Sequence, residues 1–194
     1  DILAKMCTGV IVDTFLLFLM KIKNTTIVYH RCGGKSLGYP PNTILTAQWA
    51  EDNGATAVEY DVVFAGDNLS GKLVVIDPAI IRHKSLDIDN LKWDQVKNLN
   101  TGNDTFGFQK ITSLREMLDK IDTRYINHQI HLKGKHSKGI QSIVEEIDPR
   151  VNHLITSFDL NVIRKIKSVN RKINLGWLVK AHQEKGDEGV SDLT

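Results

Sequence analysis

The sequence predicts an α/β fold, and within that class a (β/α)8 barrel of the TIM type that is incomplete at its C-terminal end. Short runs rich in β-branched residues alternate with amphipathic stretches, which is the pattern of strands connected by helices. Polar and charged side chains fall at the ends of successive runs, where a barrel carries its active site. The six predicted strands are fewer than the eight of a closed barrel. A doubly wound open sheet is the alternative, but no dinucleotide-type glycine fingerprint follows the first strand.

The first elements are a strand, a helix and a second strand. Residues 26–31 form an apolar, β-branched strand, and a glycine- and proline-rich loop follows it. Asn42 or Thr43 caps a helix over residues 44–53. Residues 57–64 form the next strand. This order implies a parallel pair of strands with a right-handed crossover.

The rest of the chain continues the alternation, and Ser113 caps its clearest helix. The remaining strands are predicted over residues 72–76, 125–133, 153–158 and 173–179. The remaining helices are predicted over residues 90–99, 114–121, 139–147 and 160–169. Residues 25–180 are therefore predicted to form one barrel domain, between an apolar leader at residues 1–24 and a polar tail at residues 181–194.

Composition places the chain among ordinary globular proteins. Its 194 residues allow one well-buried core, and 41% of them are hydrophobic while 25% are charged. The net charge of +2 argues against a nucleic-acid partner, and no basic patch with interleaved aromatic residues is present. Cys7 and Cys32 lie in no CxxC pair, so both are predicted to be free thiols.

The leader contains a nearly continuous apolar run at residues 10–20, followed by Lys21 and Lys23. The run is shorter than a bilayer requires, and the lysines follow it instead of preceding it as in a signal peptide. Three interpretations stay open: a buried or capping helix, an interfacial anchor giving peripheral membrane contact, and part of a transmembrane segment. Cytoplasmic and membrane-associated locations are both compatible with this pattern.

Two carboxylates lie close together on the second strand. Glu59 and Asp61 are two positions apart, and side chains alternate across a strand, so both are expected on the same side. Two like charges on one face are unfavourable unless a cation or a set of donors lies between them, and a hard divalent ion is the natural choice. His30 and Arg31 at the end of the first strand add an imidazole and a guanidinium, which suggests an anionic substrate.

The ordered motifs of the chain resemble the glycerophosphodiester phosphodiesterase family. They extend over roughly residues 27–179 and comprise His30-Arg31 with a glycine-rich loop, Pro41-Asn42-Thr43, Gly54-Ala55, Glu59-x-Asp61-Val62, Val74-Val75-Ile76-Asp77-Pro78 with Arg82, Ile130-His131-Leu132-Lys133-Gly134 and Ser157-Phe158-Asp159. The resemblance implies a phosphodiesterase on a (β/α)8 barrel that uses a divalent metal, commonly magnesium or calcium. Such enzymes split glycerophosphodiesters or related lysolipids into a glycerol phosphate and an alcohol.

The resemblance also implies roles for individual residues. His30 would be one of two histidines doing acid/base work, and Arg31 would hold the phosphate. Glu59 and Asp61 would bind the metal, while Lys133 would also face the phosphate. These roles agree with the chemistry of the residue types, because a cation between carboxylates polarises a phosphoryl oxygen and an imidazole passes protons.

Two departures from the family pattern affect the site. Ile76 leads directly to Asp77 where the family has His-Asp, so the second catalytic histidine is missing. His131 stands where the family has a third metal carboxylate, and a site with an imidazole suits an ion softer than calcium. His83 is a weak candidate to replace the missing histidine. The alternative to a slow enzyme is a catalytically impaired relative that binds phosphodiesters or a protein on the same scaffold.

Overall fold

The computed structural model describes residues 26–66, 71–87, 93–121, 126–133, 139–147 and 153–179. The predicted leader at residues 1–24 and the predicted tail at residues 181–194 lie outside these ranges, as does Cys7. Cys32 is buried and is a free thiol, as predicted. Within the described ranges, none of the helices combines the length and the apolar character needed to cross a bilayer.

A seven-stranded mixed sheet lies at the centre of the described residues, with helices between its strands. The strands are β1 (Val28–Tyr29), β2 (Ala57–Ala65), β3 (Lys72–Val75), β4 (Thr112–Ser113), β5 (Asn127–Leu132), β6 (His153–Ser157) and β7 (Leu175–Trp177). The helices are α1 (Ile44–Asp52), α2 (Pro78–His83), α3 (Trp93–Val96), α4 (Leu114–Lys120), α5 (Ile140–Glu146) and α6 (Leu160–Val169). The α/β class is therefore confirmed.

The sheet is parallel along most of its length. Strand β2 pairs in parallel with β1 and β5, and β5, β6 and β7 follow one another in parallel. The third strand departs from the predicted alternation, because β3 runs antiparallel to β2 and β4 runs antiparallel to β3. A parallel crossover takes about a dozen residues. The segment from Gly66 to Gly71 is too short for that, so β3 folds back as a hairpin.

The two faces of β2 have different surroundings. Val58, Tyr60 and Val62 belong to the larger apolar cluster, which includes residues of α1, α4, α5 and α6. Val63 and Ala65 point to the other face and belong to a smaller cluster that includes Ile81 of α2. Because side chains alternate along a strand, the second face is also that of the two carboxylates. The site therefore lies on the face of the sheet away from the main helix layer.

Both predicted helix caps are present, and of the two candidates for the cap of α1 it is Thr43 that forms it. The Thr43 hydroxyl accepts a hydrogen bond from the Thr46 N–H and so caps α1. Ser113 and Glu116 form a reciprocal capping box at the start of α4. Asn42, the other candidate for α1, is used elsewhere. The helix predicted over residues 90–99 is observed as α3, and residues 88–92 lie outside the described part.

A buried histidine makes the stability of the fold depend on pH. His128 of β5 is buried among the helix-facing residues, and its Nδ1 lies 3.0 Å from the Tyr60 hydroxyl. Burial, with a smaller effect from neighbouring His153, lowers the pKa of His128 from its ordinary 6.5 to about 4. The unfolded chain therefore binds a proton first as the pH falls. We expect the free energy of unfolding to drop by about 3 kcal/mol between pH 6.5 and pH 4 from this residue.

Denaturant unfolding at several pH values between 7 and 4 measures this effect. In the variant His128→Gln the drop should be smaller by that amount, whereas exposed His83→Gln should leave it unchanged. An equally steep pH dependence in His128→Gln would show that other groups cause the loss of stability.

Candidate active site

The two carboxylates predicted to form the site lie together on β2. Glu59 and Asp61 are both buried, and both belong to the face opposite Tyr60. They lie in the middle of the strand and not at its end, because β2 continues as far as Ala65. The continuation pairs with β3, and β2 ends one residue beyond the predicted strand of residues 57–64.

His131 of β5 completes a cluster of three metal-ligating side chains. It is the register partner of Asp61 on the neighbouring strand, so its side chain projects from the same face. Its Nδ1 lies 3.4 Å from Glu59 Oε1 and 3.7 Å from Asp61 Oδ1. One ligand atom from each of the three buried residues lies within 4.8 Å of the others. The cluster therefore has the size of a coordination site.

The donor set of this cluster fits a divalent ion. Among the described residues, Glu59 Oε1 and Asp61 Oδ1 are buried and accept no well-formed hydrogen bond, and their near neighbours are His131 Nδ1 at 3.4 Å and Lys133 Nζ at 3.1 Å. Buried carboxylate charge is costly unless cations compensate it, and a divalent ion would compensate both carboxylates at once. Two carboxylates and one imidazole are ligands that Mn²⁺, Fe²⁺ or Zn²⁺ accept, whereas Ca²⁺ prefers oxygen ligands alone.

Glu59 is held in its ionised form. Burial favours the neutral acid, but the contact from His131, the backbone N–H of Arg31 and the nearby His30 outweigh this effect and lower the pKa of Glu59 below its ordinary value. The Arg31 N–H donates to Glu59 Oε2 at 2.8 Å, which leaves Oε1 to face His131. Glu59 is thus a charged acceptor at neutral pH, as a metal ligand must be.

Arg31 has an unusual backbone conformation that serves the site. It lies in the left-handed region, with φ of 51° and ψ of 39°, which costs a non-glycine residue on the order of 1 kcal/mol. The first strand therefore ends at Tyr29, and the chain turns at His30. The prediction that this strand extends to residue 31 is wrong. The hydrogen bond from the Arg31 N–H to Glu59 stabilises this turn.

The Arg31 side chain forms ion pairs with two acids. Its Nε lies 3.3 Å from Asp61 Oδ2, and its Nη1 donates to Asp77 Oδ2 at 2.7 Å. Asp77 uses its other oxygen to accept from the Ala79 N–H and so caps α2. A guanidinium fixed in this way has a defined orientation, with donors left for an anion.

His30 and Lys133 lie at the accessible side of the cluster. The His30 Nε2 is 3.8 Å from Glu59 Oε2, and the side chain is 59% exposed. Lys133 follows β5 directly, and its Nζ lies 3.1 Å from Asp61 Oδ1. The structure thus brings together all six residues that the sequence singled out, which are His30, Arg31, Glu59, Asp61, His131 and Lys133.

Asn42 and Asp77 are site residues whose contacts the sequence did not reveal. Asn42 is buried with φ of 58°, and its Oδ1 accepts from the Asp61 N–H at 3.0 Å. Its Nδ2 lies 3.4 Å from Asp61 Oδ2. A Pro-Asn-Thr motif just before a helix predicts a cap at Asn42 or Thr43 and gives no sign of a contact with Asp61.

No second histidine replaces the missing one within the described residues. Ile76 is buried in the smaller apolar cluster, so its position offers no group that exchanges protons. His83 lies exposed at the end of α2, where it lines a surface pocket with Lys84 and Asn100. That pocket shares no lining residue with the carboxylate cluster.

An aromatic side chain borders the site on the β6 side. The Phe158 ring, 47% exposed, has its centroid 5.4 Å from that of His131, and Lys133 Nζ lies 6.0 Å from its centre. Trp177, also exposed, donates from its indole N–H to the Phe158 carbonyl. Phe158 therefore places an exposed aromatic ring beside His131 and Lys133.

Comparison with curated proteins and with solved structures finds glycerophosphodiester phosphodiesterases. No protein-family model matches the chain. A glycerophosphodiester phosphodiesterase from Caldanaerobacter subterraneus subsp. tengcongensis is 28% identical over 168 residues, which are 79% of this chain and 66% of that protein. The chain thus spans a little under two thirds of the length of this relative. The resemblance that the sequence motifs suggested is confirmed.

Solved structures show the same fold. A phosphodiesterase from Oleispira antarctica, in complex with the product sn-glycerol-3-phosphate, superposes with a TM-score of 0.66 at 23% identity over 81% of this chain and 67% of that one. A glycerophosphodiester phosphodiesterase from Parabacteroides distasonis gives a TM-score of 0.64 at 21% identity over 79% and 65%. The predicted fold class is therefore confirmed, and the described strands do not close the sheet.

Proposed function

We propose that this chain, a divergent relative of the glycerophosphodiester phosphodiesterases, carries the site of a metal-dependent phosphoric diester hydrolase. It would split glycerophosphodiesters into a glycerol phosphate and an alcohol. The observation that carries the proposal is the buried cluster of Glu59, Asp61 and His131, with Arg31 and Lys133 directly beside it. An anion-binding pair next to a cation-binding cluster is what a phosphodiester and a divalent ion require together.

Glu59, Asp61 and His131 would hold the divalent ion. When bound there, the ion would supply Lewis-acid polarisation of a phosphoryl oxygen. Magnesium and calcium are the ions that the family resemblance implies. The imidazole of His131 favours an ion that accepts nitrogen, such as manganese, so we place manganese ahead of calcium for this chain.

Arg31 and Lys133 would bind the phosphate. Arg31 is held between Asp61 and Asp77, so its remaining N–H groups are oriented before the substrate arrives. The Lys133 ammonium lies on the accessible side of the cluster, and a quarter of its side chain is exposed. Together they would compensate the charge that develops on the equatorial oxygens during displacement.

His30 would do the acid/base work. Its imidazole is exposed on the accessible side of the cluster, where a water or a leaving oxygen would reach it. The His30 Nε2 lies 3.8 Å from Glu59 Oε2. With Ile76 in place of the second histidine, water would take one of the two proton transfers. One lost acid/base group costs on the order of 10²–10⁴-fold in rate, so we expect slow turnover.

The Phe158 ring favours a substrate with apolar surface. Phe158 touches His131 and lies under Lys133, so the part of the substrate beyond the phosphate would lie against it. A lysolipid presents such surface, whereas a free glycerophosphodiester presents only small polar alcohols. Lysolipid-type phosphodiesters are therefore the preferred substrate class within the proposed reaction.

Replacing Phe158 with alanine tests this preference. We expect kcat/KM for lysophosphatidylcholine to fall about tenfold, because burial of an aromatic side chain contributes roughly 1.5–3 kcal/mol. The value for glycerophosphocholine should change by less than about twofold, since that substrate makes little apolar contact. Val169→Ala, at an exposed apolar position at the end of α6, is the control. Equal losses on both substrates would contradict the assignment.

We also propose peripheral membrane contact through residues 10–20, because a lysolipid substrate is found at membrane surfaces. These residues lie outside the described part of the chain, so the proposal rests on their composition. Co-sedimentation with phosphatidylcholine vesicles, compared between the full chain and a variant with Leu16 and Leu17 changed to serine, measures it. Equal sedimentation of the two proteins would contradict it.

A catalytically impaired relative is the second candidate function, and the burial of Ile76 is the observation that favours it. In that case the same residues would bind a phosphodiester, or the scaffold a protein, without hydrolysis. Release of choline from glycerophosphocholine, which leaves sn-glycerol 3-phosphate, and from lysophosphatidylcholine, which leaves a lysophosphatidate, separates the two candidates when measured with magnesium, calcium or manganese. Product with any of the ions supports the enzyme. Substrate binding without product supports the impaired relative.

A further inference from the structure

Asp61 is the residue at which both cationic side chains of the site meet. Arg31 Nε lies 3.3 Å from Oδ2, while Lys133 Nζ lies 3.1 Å from Oδ1. Asp61 is fully buried, so these contacts have a low-dielectric environment on most sides. The two side chains therefore use different oxygens of one carboxylate.

The oxygen that Lys133 approaches is the one that faces the candidate metal position. Asp61 Oδ1 lies 3.7 Å from His131 Nδ1, which in turn lies 3.4 Å from Glu59 Oε1. A divalent ion would lie about 2.0–2.2 Å from a carboxylate oxygen. An ammonium 3.1 Å from that same oxygen would then lie within a few ångströms of a dication, and the two charges repel strongly where water is excluded.

Arg31 is not subject to the same competition. It is on the other oxygen of Asp61, and Asp77 holds its Nη1 at 2.7 Å. Among the contacts of the described residues, Lys133 has no second acid of this kind. Its other neighbour is the exposed Phe158 ring, whose centroid lies 6.0 Å from Nζ. A cation next to an aromatic face is weakly attracted, so the ammonium has a place to move to.

We infer that Lys133 is a metal-sensitive gate of the phosphate site, an inference that rests on the proposed function. Without a divalent ion the Lys133 ammonium pairs with Asp61 and therefore does not bind a phosphate. When a divalent ion coordinates Asp61 Oδ1, the Lys133 side chain leaves Asp61. It then turns past Phe158 and donates to a phosphate oxygen. Metal and phosphate therefore bind with positive coupling, and by linkage each raises the affinity for the other.

Binding measurements on the whole chain test this inference without activity. We compare the wild type with Lys133→Met, Lys133→Arg and the matched control Lys35→Met, an exposed lysine of the neighbouring loop. Isothermal titration with Mn²⁺ alone should show Lys133→Met binding about tenfold more tightly than the wild type, within the range of couplings between sites. Lys133→Arg and Lys35→Met should stay within about twofold of the wild type.

The second measurement is the affinity for sn-glycerol 3-phosphate. Without Mn²⁺, Lys133→Met and the wild type should bind it equally, because the ammonium is engaged by Asp61. With saturating Mn²⁺, Lys133→Met should bind it about tenfold more weakly. Thermal unfolding of each variant confirms that the proteins compared are folded, and Lys133→Gln replaces the methionine variant if that one does not fold.

The possible failures are distinguishable. Equal Mn²⁺ affinity in the wild type and Lys133→Met overturns the gate and leaves the proposed function intact. A loss of phosphate affinity in Lys133→Met without metal also overturns it, since Lys133 would then be a permanent phosphate ligand. Absence of Mn²⁺, Mg²⁺ and Ca²⁺ binding in every protein overturns the metal centre and thereby the proposed function.

Discussion

Replacement of Glu59 with glutamine is expected to abolish metal binding at the site. Glutamine keeps the length of the side chain and an oxygen for the Arg31 N–H, but it removes the charge that a divalent ion needs. Residues that merely support a metal ligand contribute about 10–100-fold to affinity, so loss of a ligand should exceed about 100-fold. Hydrolysis should fall by on the order of 10³-fold, because the electrostatic stabilisation of the transition state is lost with the ion.

Titration with Mn²⁺ and thermal unfolding measure this effect separately from turnover. Mn²⁺ in excess should raise the unfolding temperature of the wild type by mass action and leave that of Glu59→Gln unchanged. Glu145→Gln, the same substitution at an exposed position of α5, should behave like the wild type. A normal Mn²⁺ response in Glu59→Gln would remove Glu59 from the set of ligands.

Replacement of His30 is expected to lower kcat while metal binding stays intact. The imidazole lies 3.8 Å from Glu59 Oε2 and is exposed, so under the proposed function it would move protons and would not coordinate the ion. Loss of a general acid/base group costs on the order of 10²–10⁴-fold in kcat. We expect His30→Ala to show this loss with a Mn²⁺ affinity within about threefold of the wild type.

Added imidazole gives a direct check on the proton-transfer role. Because the His30 side chain is more than half exposed, a free imidazole should enter the space left by His30→Ala and restore part of the rate. His83→Ala, at the exposed end of α2, is the control and should keep full activity. Wild-type kcat in His30→Ala would exclude His30 as the acid/base group and favour a water bound in the cluster.

Local patterns in the sequence predicted much of the site. Glu59 and Asp61 share a face because the period of a strand is two, whatever the strand pairs with. Thr43 and Ser113 cap helices through contacts with residues three positions away, which the sequence shows directly. His131 and Lys133 were identified through the resemblance to a family. Their distance from Asp61 could not be predicted, because it depends on the register between β2 and β5.

Most of the contacts that the sequence did not predict are long-range. The third strand folds back because its connection is short, and that hairpin carries Asp77 to Arg31, 46 positions away in the chain. Of the two predicted cap residues, Thr43 caps α1, whereas Asn42 accepts a hydrogen bond from the Asp61 backbone N–H. The left-handed turn at Arg31 needs a partner for its N–H, and Glu59 lies 28 positions away.

The sequence by itself determined the α/β class, the order of most elements, the pairing of two acids on one strand face and the identity of the charged residues. These features follow from periodicity and from contacts within a few residues. Only the tertiary structure decided that Asp61 lies between Arg31 and Lys133, and that Ile76 is buried in an apolar cluster. Strand register and burial are set by the packing of distant segments, and a chemical role depends on distances of a few ångströms between them.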